Sequence, residues 1–196
     1  MHGRRICALA VATLALAGCA TTMGEGRQAL RQGRYAEAAT HFEEALVEDP
    51  EKTDALIGLG IARYKAGDWD DAIEPLGRVV VREPRSSTAR LYLGLAHLRK
   101  GDLGPVEEHF GALIAERAGT RVAAQADRAL RVLRGQDLPS DDLRAFIAAS
   151  IEDGAEMERQ VLEARQYARE MEFRWRDRYY LYDPYYSRPL FRSRRR

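Results

Sequence analysis

Gly67 follows Gly33 by 34 residues, Gly101 follows Gly67 by the same distance, and Gly135 follows Gly101. Other columns share the period: Gly26, Gly60 and Gly94; Ala38, Ala72 and Val106; Phe42, Leu76 and Phe110; Ala45, Val79 and Leu113; Pro50 and Pro84. A unit this short cannot bury its own apolar face, so self-similarity at this spacing requires units that stack on one another. Within each unit the apolar residues recur at helical spacing, which predicts two short amphipathic helices per repeat. Gly33, Gly67 and Gly101 sit at the turn between them, where a left-handed backbone favours a residue without a Cβ. The small Gly60/94 and Ala38/72 columns let the paired helices approach, and Phe42, Leu76 and Phe110 fill the space between pairs. Pro50 and Pro84 cannot continue a helix and end the second one.

These landmarks resemble the tetratricopeptide repeat. The second unit carries Leu59-Gly60, Tyr64, Gly67-Asp68-Trp69, Ala72, Leu76 and Pro84. The third keeps Leu93-Gly94, Gly101-Asp102, Phe110 and Leu113 but has Ala118 in the proline position. The first is strong in its second helix, through Gly33-Arg34-Tyr35, Ala38, Phe42, Ala45 and Asp49-Pro50. The resemblance implies an all-α fold: a helical-hairpin solenoid of about three repeats plus a capping helix, 121–134, then a long C-terminal helix and an extended tail. The organisation expected is a leader over 1–18, a short tether over 19–23, the repeat array over 24–135 and a linker over 136–140. An amphipathic helix over 141–178 and an aromatic, arginine-rich tail over 179–196 complete it.

The N-terminus reads as a targeting segment. Arg4 and Arg5 precede an apolar run from Ile6 to Ala17, and Leu16-Ala17-Gly18-Cys19 follows as a processing site. That run is 12 residues, short of the ~20 that a spanning helix needs. The LAGC sequence resembles the lipobox of bacterial lipoproteins, which implies a diacylglycerol on Cys19. With Cys7 removed and Cys19 acylated, no thiol would remain, which suits an oxidising compartment. Alanine rather than aspartate at position 20 implies the periplasmic side of the outer membrane rather than the inner.

Charge bears on the partner. The segment 174–196 holds eight arginines against Asp177 and Asp183, while the whole chain is only +1. The repeats are therefore acidic in balance, which speaks against nucleic acid in their groove. In stacked repeats of this kind the concave face is lined by the first helix of each pair. The resemblance places Asp54, Ile57, Ile61, Tyr64 and Lys65 there in the second repeat, and Thr88, Leu91, Leu95, Leu98 and Arg99 in the third. Such an aliphatic surface with a basic rim suits an amphipathic helix of a protein partner. Chaperone-type repeats grip a peptide carboxylate with lysine and asparagine; here Gly58 and Ile61 stand at asparagine sites, so that clamp is absent. Either the groove is open, and Leu95→Glu would then eject the partner, or the chain's own C-terminal helix covers it.

Ser140, Asp141 and Asp142 form a helix start, a capping hydroxyl followed by acids at the positive helix end. Leu143, Ile147, Ser150, Gly154, Met157, Val161, Ala164, Ala168, Met171 and Trp175 follow at alternating spacings of four and three, a heptad seam. One reading packs Leu143, Phe146, Ile147 and Ile151 on the last repeat and leaves the remainder in solvent. The other makes Met157, Val161, Ala164, Ala168, Met171 and Trp175 an interface for a homodimer or a partner. The tail interleaves tyrosines with arginines around Asp183-Pro184 and Arg188-Pro189. Such a segment fits anionic lipid or cell-wall polymer, which gives a second functional reading: a structural envelope protein held by its tail.

Catalytic chemistry finds no support in the residues. His41, His97 and His109 lack metal-ligand spacing, His41 and His109 fall in a column expected to face solvent, and no nucleophile elbow or phosphate loop is present. Asp70-Asp71 and Glu107-Glu108 are read as acids in the first turn of their helices, stabilising the dipole. No enzyme activity, cofactor or metal is expected. The first reading is a membrane-anchored periplasmic adaptor for a protein partner; lipoproteins it resembles assist pilus secretin assembly, outer-membrane protein insertion or cell-wall enzymes.

Overall fold

A computed structural model describes residues 22–135 and 139–182, with side chains through 174. The leader, Cys19, the side chain of Trp175 and the tail beyond 182 lie outside the described residues. Those described form eight helices and no strand: α1 over 22–31, α2 (Tyr35–Glu48), α3 (Thr53–Ala66), α4 (Trp69–Arg82), α5 (Ser87–Lys100), α6 (Leu103–Glu116), α7 (Arg121–Arg134) and α8 (Asp141–Tyr182). From α2 to α7 consecutive helices pack against one another as hairpins, and α3 also lies against α5, so first helices stand side by side. This is an all-α helical-hairpin solenoid followed by a long C-terminal helix. From α2 to α7 every helix has 14 residues, which with short turns accounts for the repeat period.

The packing explains the columns. Phe42, Leu76 and Phe110 are almost fully buried. Each lies over the glycine 16 residues before it: Phe42 over Gly26, Leu76 over Gly60, and Phe110 over Gly94. Phe42 also covers Gly58, where a Cβ would come within 2.5 Å of the ring. Gly33, Gly67 and Gly101 adopt φ of 74°, 96° and 90°, the left-handed turn the sequence calls for. Gly135 does not share it: its φ is −85°. The period ends there in geometry as well as in sequence. Gly119, outside the column, takes φ 83° between α6 and α7 in place of the missing proline.

Pro75 sits in the middle of α4, buried, and the helix continues through it to Arg82. Several expectations need correcting. His109 is buried rather than solvent-facing, with its ring stacked 5.9 Å from that of His97. Burial holds the His109 imidazole below its ordinary range, and the nearby Arg90 charge acts in the same direction against Glu108. Glu107 and Glu108 both lie beyond the first turn of α6, and Glu107 pairs with Arg134. At the C-terminus, α8 extends to Tyr182 rather than ending at 178. The Ser140 hydroxyl does accept the Leu143 N–H at 3.3 Å and so caps it.

The chain divides into two units, one ending at Glu152 and the second beginning at Asp153. The first three turns of α8 thus belong with the repeats.

Candidate functional site

The side chains assigned to the concave face come from α3 and α5, adjacent first helices whose equal lengths put equivalent residues in register. Their floor is closed rather than open. Leu95 and Leu98 are fully buried, and Leu91 and Tyr64 nearly so. Ile57 and Ile61 are half-buried, while Asp54 and Thr88 stand nearer the rim, Asp54 accepting from Arg27 at 2.8 Å. Arg99 stacks 4.6 Å above the Trp69 ring, a cation–π contact that anchors it away from a ligand.

The first turns of α8 are tied to α5 and α3 at two points. At one anchor, Arg144 lies 3.3 Å from where a Cβ on Gly101 would stand, at the C-terminal end of α5. Its guanidinium also donates to the Pro139 carbonyl and to Asp141, both at 2.6 Å. At the other anchor, at the C-terminal end of α3, the Tyr64 hydroxyl donates to Glu152 Oε1 at 2.5 Å and Lys65 Nζ donates to Glu152 Oε2. Between the anchors Ile147, Ala148 and Ile151 are buried on one face of α8. The segment uses the i, i+3/i+4, i+7 anchor spacing of a helix laid in a groove.

The electrostatics of the latch are self-consistent. Burial, then the bond to Glu152, raises the Tyr64 phenol, so it remains a hydrogen-bond donor. Burial alone would lower Lys65, but the hydrogen bond and charge of Glu152 outweigh it, and the ammonium ends above its ordinary value. Tyr64 is held from its other side by the Tyr92 ring, edge-on at 5.6 Å.

Among the described residues no group of histidine, cysteine or acidic side chains could hold a metal, and no helix is long and apolar enough to cross a membrane.

Comparison with known proteins agrees with the hairpin geometry. A family model described as tetratricopeptide repeat matches residues 23–83 and again 57–104. Residues 23–104 are thus similar to tetratricopeptide repeats. Among solved structures, the type III secretion translocator chaperone SycD of Yersinia enterocolitica is 18% identical at a TM-score of 0.55, covering 59% of this chain and 91% of its own. The first repeat domain of Spaghetti (RPAP3), bound to an HSP90 peptide, is 14% identical at a TM-score of 0.57, covering 60% and 94%. The Sgt2 repeat domain of Aspergillus fumigatus is 21% identical at a TM-score of 0.53, covering 62% and 85%. At these identities the likeness is one of fold. Among curated proteins, no sequence matches this chain.

In this helical-hairpin array the groove positions Tyr64 and Lys65 bind Glu152 of α8 and Leu91, Leu95 and Leu98 are buried, whereas Asp54 and Arg99 are engaged elsewhere and Thr88 is exposed. Because Leu95 is core, a glutamate there would report on folding rather than on partner binding. Phe146, expected to pack on the last repeat, is 72% exposed. Sequence reasoning missed Glu152 and Arg144, the two polar anchors of the segment. The signal for Glu152 was its place one residue after the last aliphatic of the Ile147–Ile151 face.

Proposed function

We propose that this chain is a lipid-anchored periplasmic adaptor whose repeat groove takes an amphipathic helix of a protein partner in exchange for its own residues 141–152. The observation that carries this reading is the Tyr64–Glu152–Lys65 latch beside the buried Ile147–Ile151 face. A groove that already holds a helix in this way is built for helices, and its occupant states the chemistry of the ligand: two aliphatics four residues apart, then an acid aimed at Tyr64 and Lys65. The Arg4–Cys19 segment supports the anchor, and Ala20 supports the outer membrane. Fold relatives that bind peptides or serve as chaperones support a protein partner. Envelope, secretion or pilus assembly is the setting this implies.

Energetics make exchange feasible. Exposing two isoleucines costs about 3–6 kcal/mol, an upper figure because an unlatched helix keeps some contacts. A partner helix that buries as much apolar surface and supplies its own acid offsets that cost. Tethering both proteins to one membrane adds effective concentration without any new contact.

The test is cross-linking in cells of the intact chain, a Glu152→Lys variant and a Cys19→Ser variant. Glu152→Lys sets a cation against Lys65, frees the groove, and should increase capture of the partner severalfold. Cys19→Ser should move the protein from the membrane to the soluble fraction and lower capture. Capture that is the same for the intact chain and both variants would overturn the adaptor reading.

A further inference from the structure

The second unit presents a helix face that no residue of its own seam fills. Met157 is 48% exposed and Val161 43%, and Ala164 and Ala168 on the same face are exposed as well. Their spacing puts Val161 and Ala168 at a positions and Met157, Ala164 and Met171 at d positions. The flanking positions are Glu158, Arg165 and Glu172 on the e side, and Asp153, Gln160, Tyr167 and Arg174 on the g side.

We infer that this face binds the same face of a second copy in antiparallel orientation, centred between Leu162 and Glu163. Two independent features select that register. The first is size. It sets Met157 of one copy against Ala168 of the other, and Val161 against Ala164, so every central layer pairs a large residue with a small one. Alanine on the facing helix makes room for close approach, toward the short end of the 8–10 Å range for packed helices. The second is charge. The same register sets Glu158 against Arg165 and Asp153 against Arg174, and two-fold symmetry doubles both pairs. A parallel pair does worse on each count. It stacks alanine on alanine and methionine on methionine, and it brings Asp153 beside Glu158, a like-charge contact that counts against it.

The pairing is independent of what the repeat groove holds. It joins two adaptors through residues 153–174, and any tether at the N-terminus would favour it by concentrating the chains on one surface.

The test uses the full chain with Cys7→Ser and Cys19→Ser, so that an introduced cysteine is the sole thiol. Sedimentation should show a concentration-dependent dimer that Val161→Glu abolishes. Glu158→Arg alone should weaken it at least tenfold, and Glu158→Arg with Arg165→Glu should restore it, because the antiparallel pair is rebuilt. A spin label at Phe173→Cys should read a separation of more than about 30 Å, from the 1.5 Å rise per residue on either side of the centre. A chain that remains monomeric at high concentration would overturn the inference. So would a label distance under about 20 Å, which marks a parallel pair, or failure of the double charge swap to restore association.

Discussion

An alanine at position 94 would place its Cβ 2.5 Å from the Phe110 ring, a separation real side chains do not occupy. Overpacking of that kind costs about 1–3 kcal/mol, so Gly94→Ala should lower the melting temperature by several degrees. Gly111 offers the control: it lies in α6, and a Cβ there would meet nothing within 4 Å. Gly111→Ala removes the helical penalty of glycine and should gain about 0.5–1 kcal/mol. Thermal melts of the two variants should therefore shift in opposite directions. His109 makes a prediction of a different kind. Its folded pKa lies below the ordinary 6.5 because burial disfavours the charged imidazole. Above pH 6.5 neither state takes up the proton; as pH falls below it, the unfolded chain binds the proton first and stability declines. Urea denaturation from pH 7.5 to 5 should show this loss, and His109→Gln should flatten it. The glycine and aromatic columns were legible in the sequence because the fold repeats the same contact at each turn of the array. The burial of His109 was not, since its column position does not reveal the neighbouring His97 ring.

At the scale of elements, the six hairpin helices and the long α8 could be read from their period and their terminators, but which part of α8 packs was open between two readings. Its seam runs unbroken along the sequence, but the structure uses the two halves differently. Ile147, Ala148 and Ile151 are buried with the repeats, while Met157 and Val161 are exposed. No local property separates them; what does is a pair of polar anchors, Arg144 at Gly101 and Glu152 at Tyr64 and Lys65, that exist only once the repeats have stacked. The exposure of Phe146 follows, because it lies off the face those anchors select. Breaking the latch should therefore act on the element alone. In Ile151→Asp combined with Glu152→Lys, amide exchange should rise by at least tenfold over residues 143–152, while that of α4 and α6 should stay unchanged. Faster exchange throughout the array would show that the segment is a structural part of the solenoid rather than a displaceable occupant.

At the scale of the whole molecule, the proposed adaptor carries a mimic of its own ligand. The repeats supply a concave frame, α8 supplies both the resident helix and a second face beyond Glu152, and the N-terminal segment supplies the address the proposal needs. The array was plain in the sequence, because it is written as a local pattern. The state of the groove was not, because a lysine such as Lys65 reads as a solvated rim residue until the carboxylate opposite it is placed. The most direct measurement is fluorescence anisotropy of a labelled peptide carrying residues 141–154, titrated with the intact chain and with the Ile151→Asp, Glu152→Lys variant. Saturable binding to the variant should be at least tenfold tighter than to the intact chain, and should be lost when Lys65→Glu is added. Equal binding to both proteins, or none to the unlatched variant, would contradict a groove that trades its own helix for another.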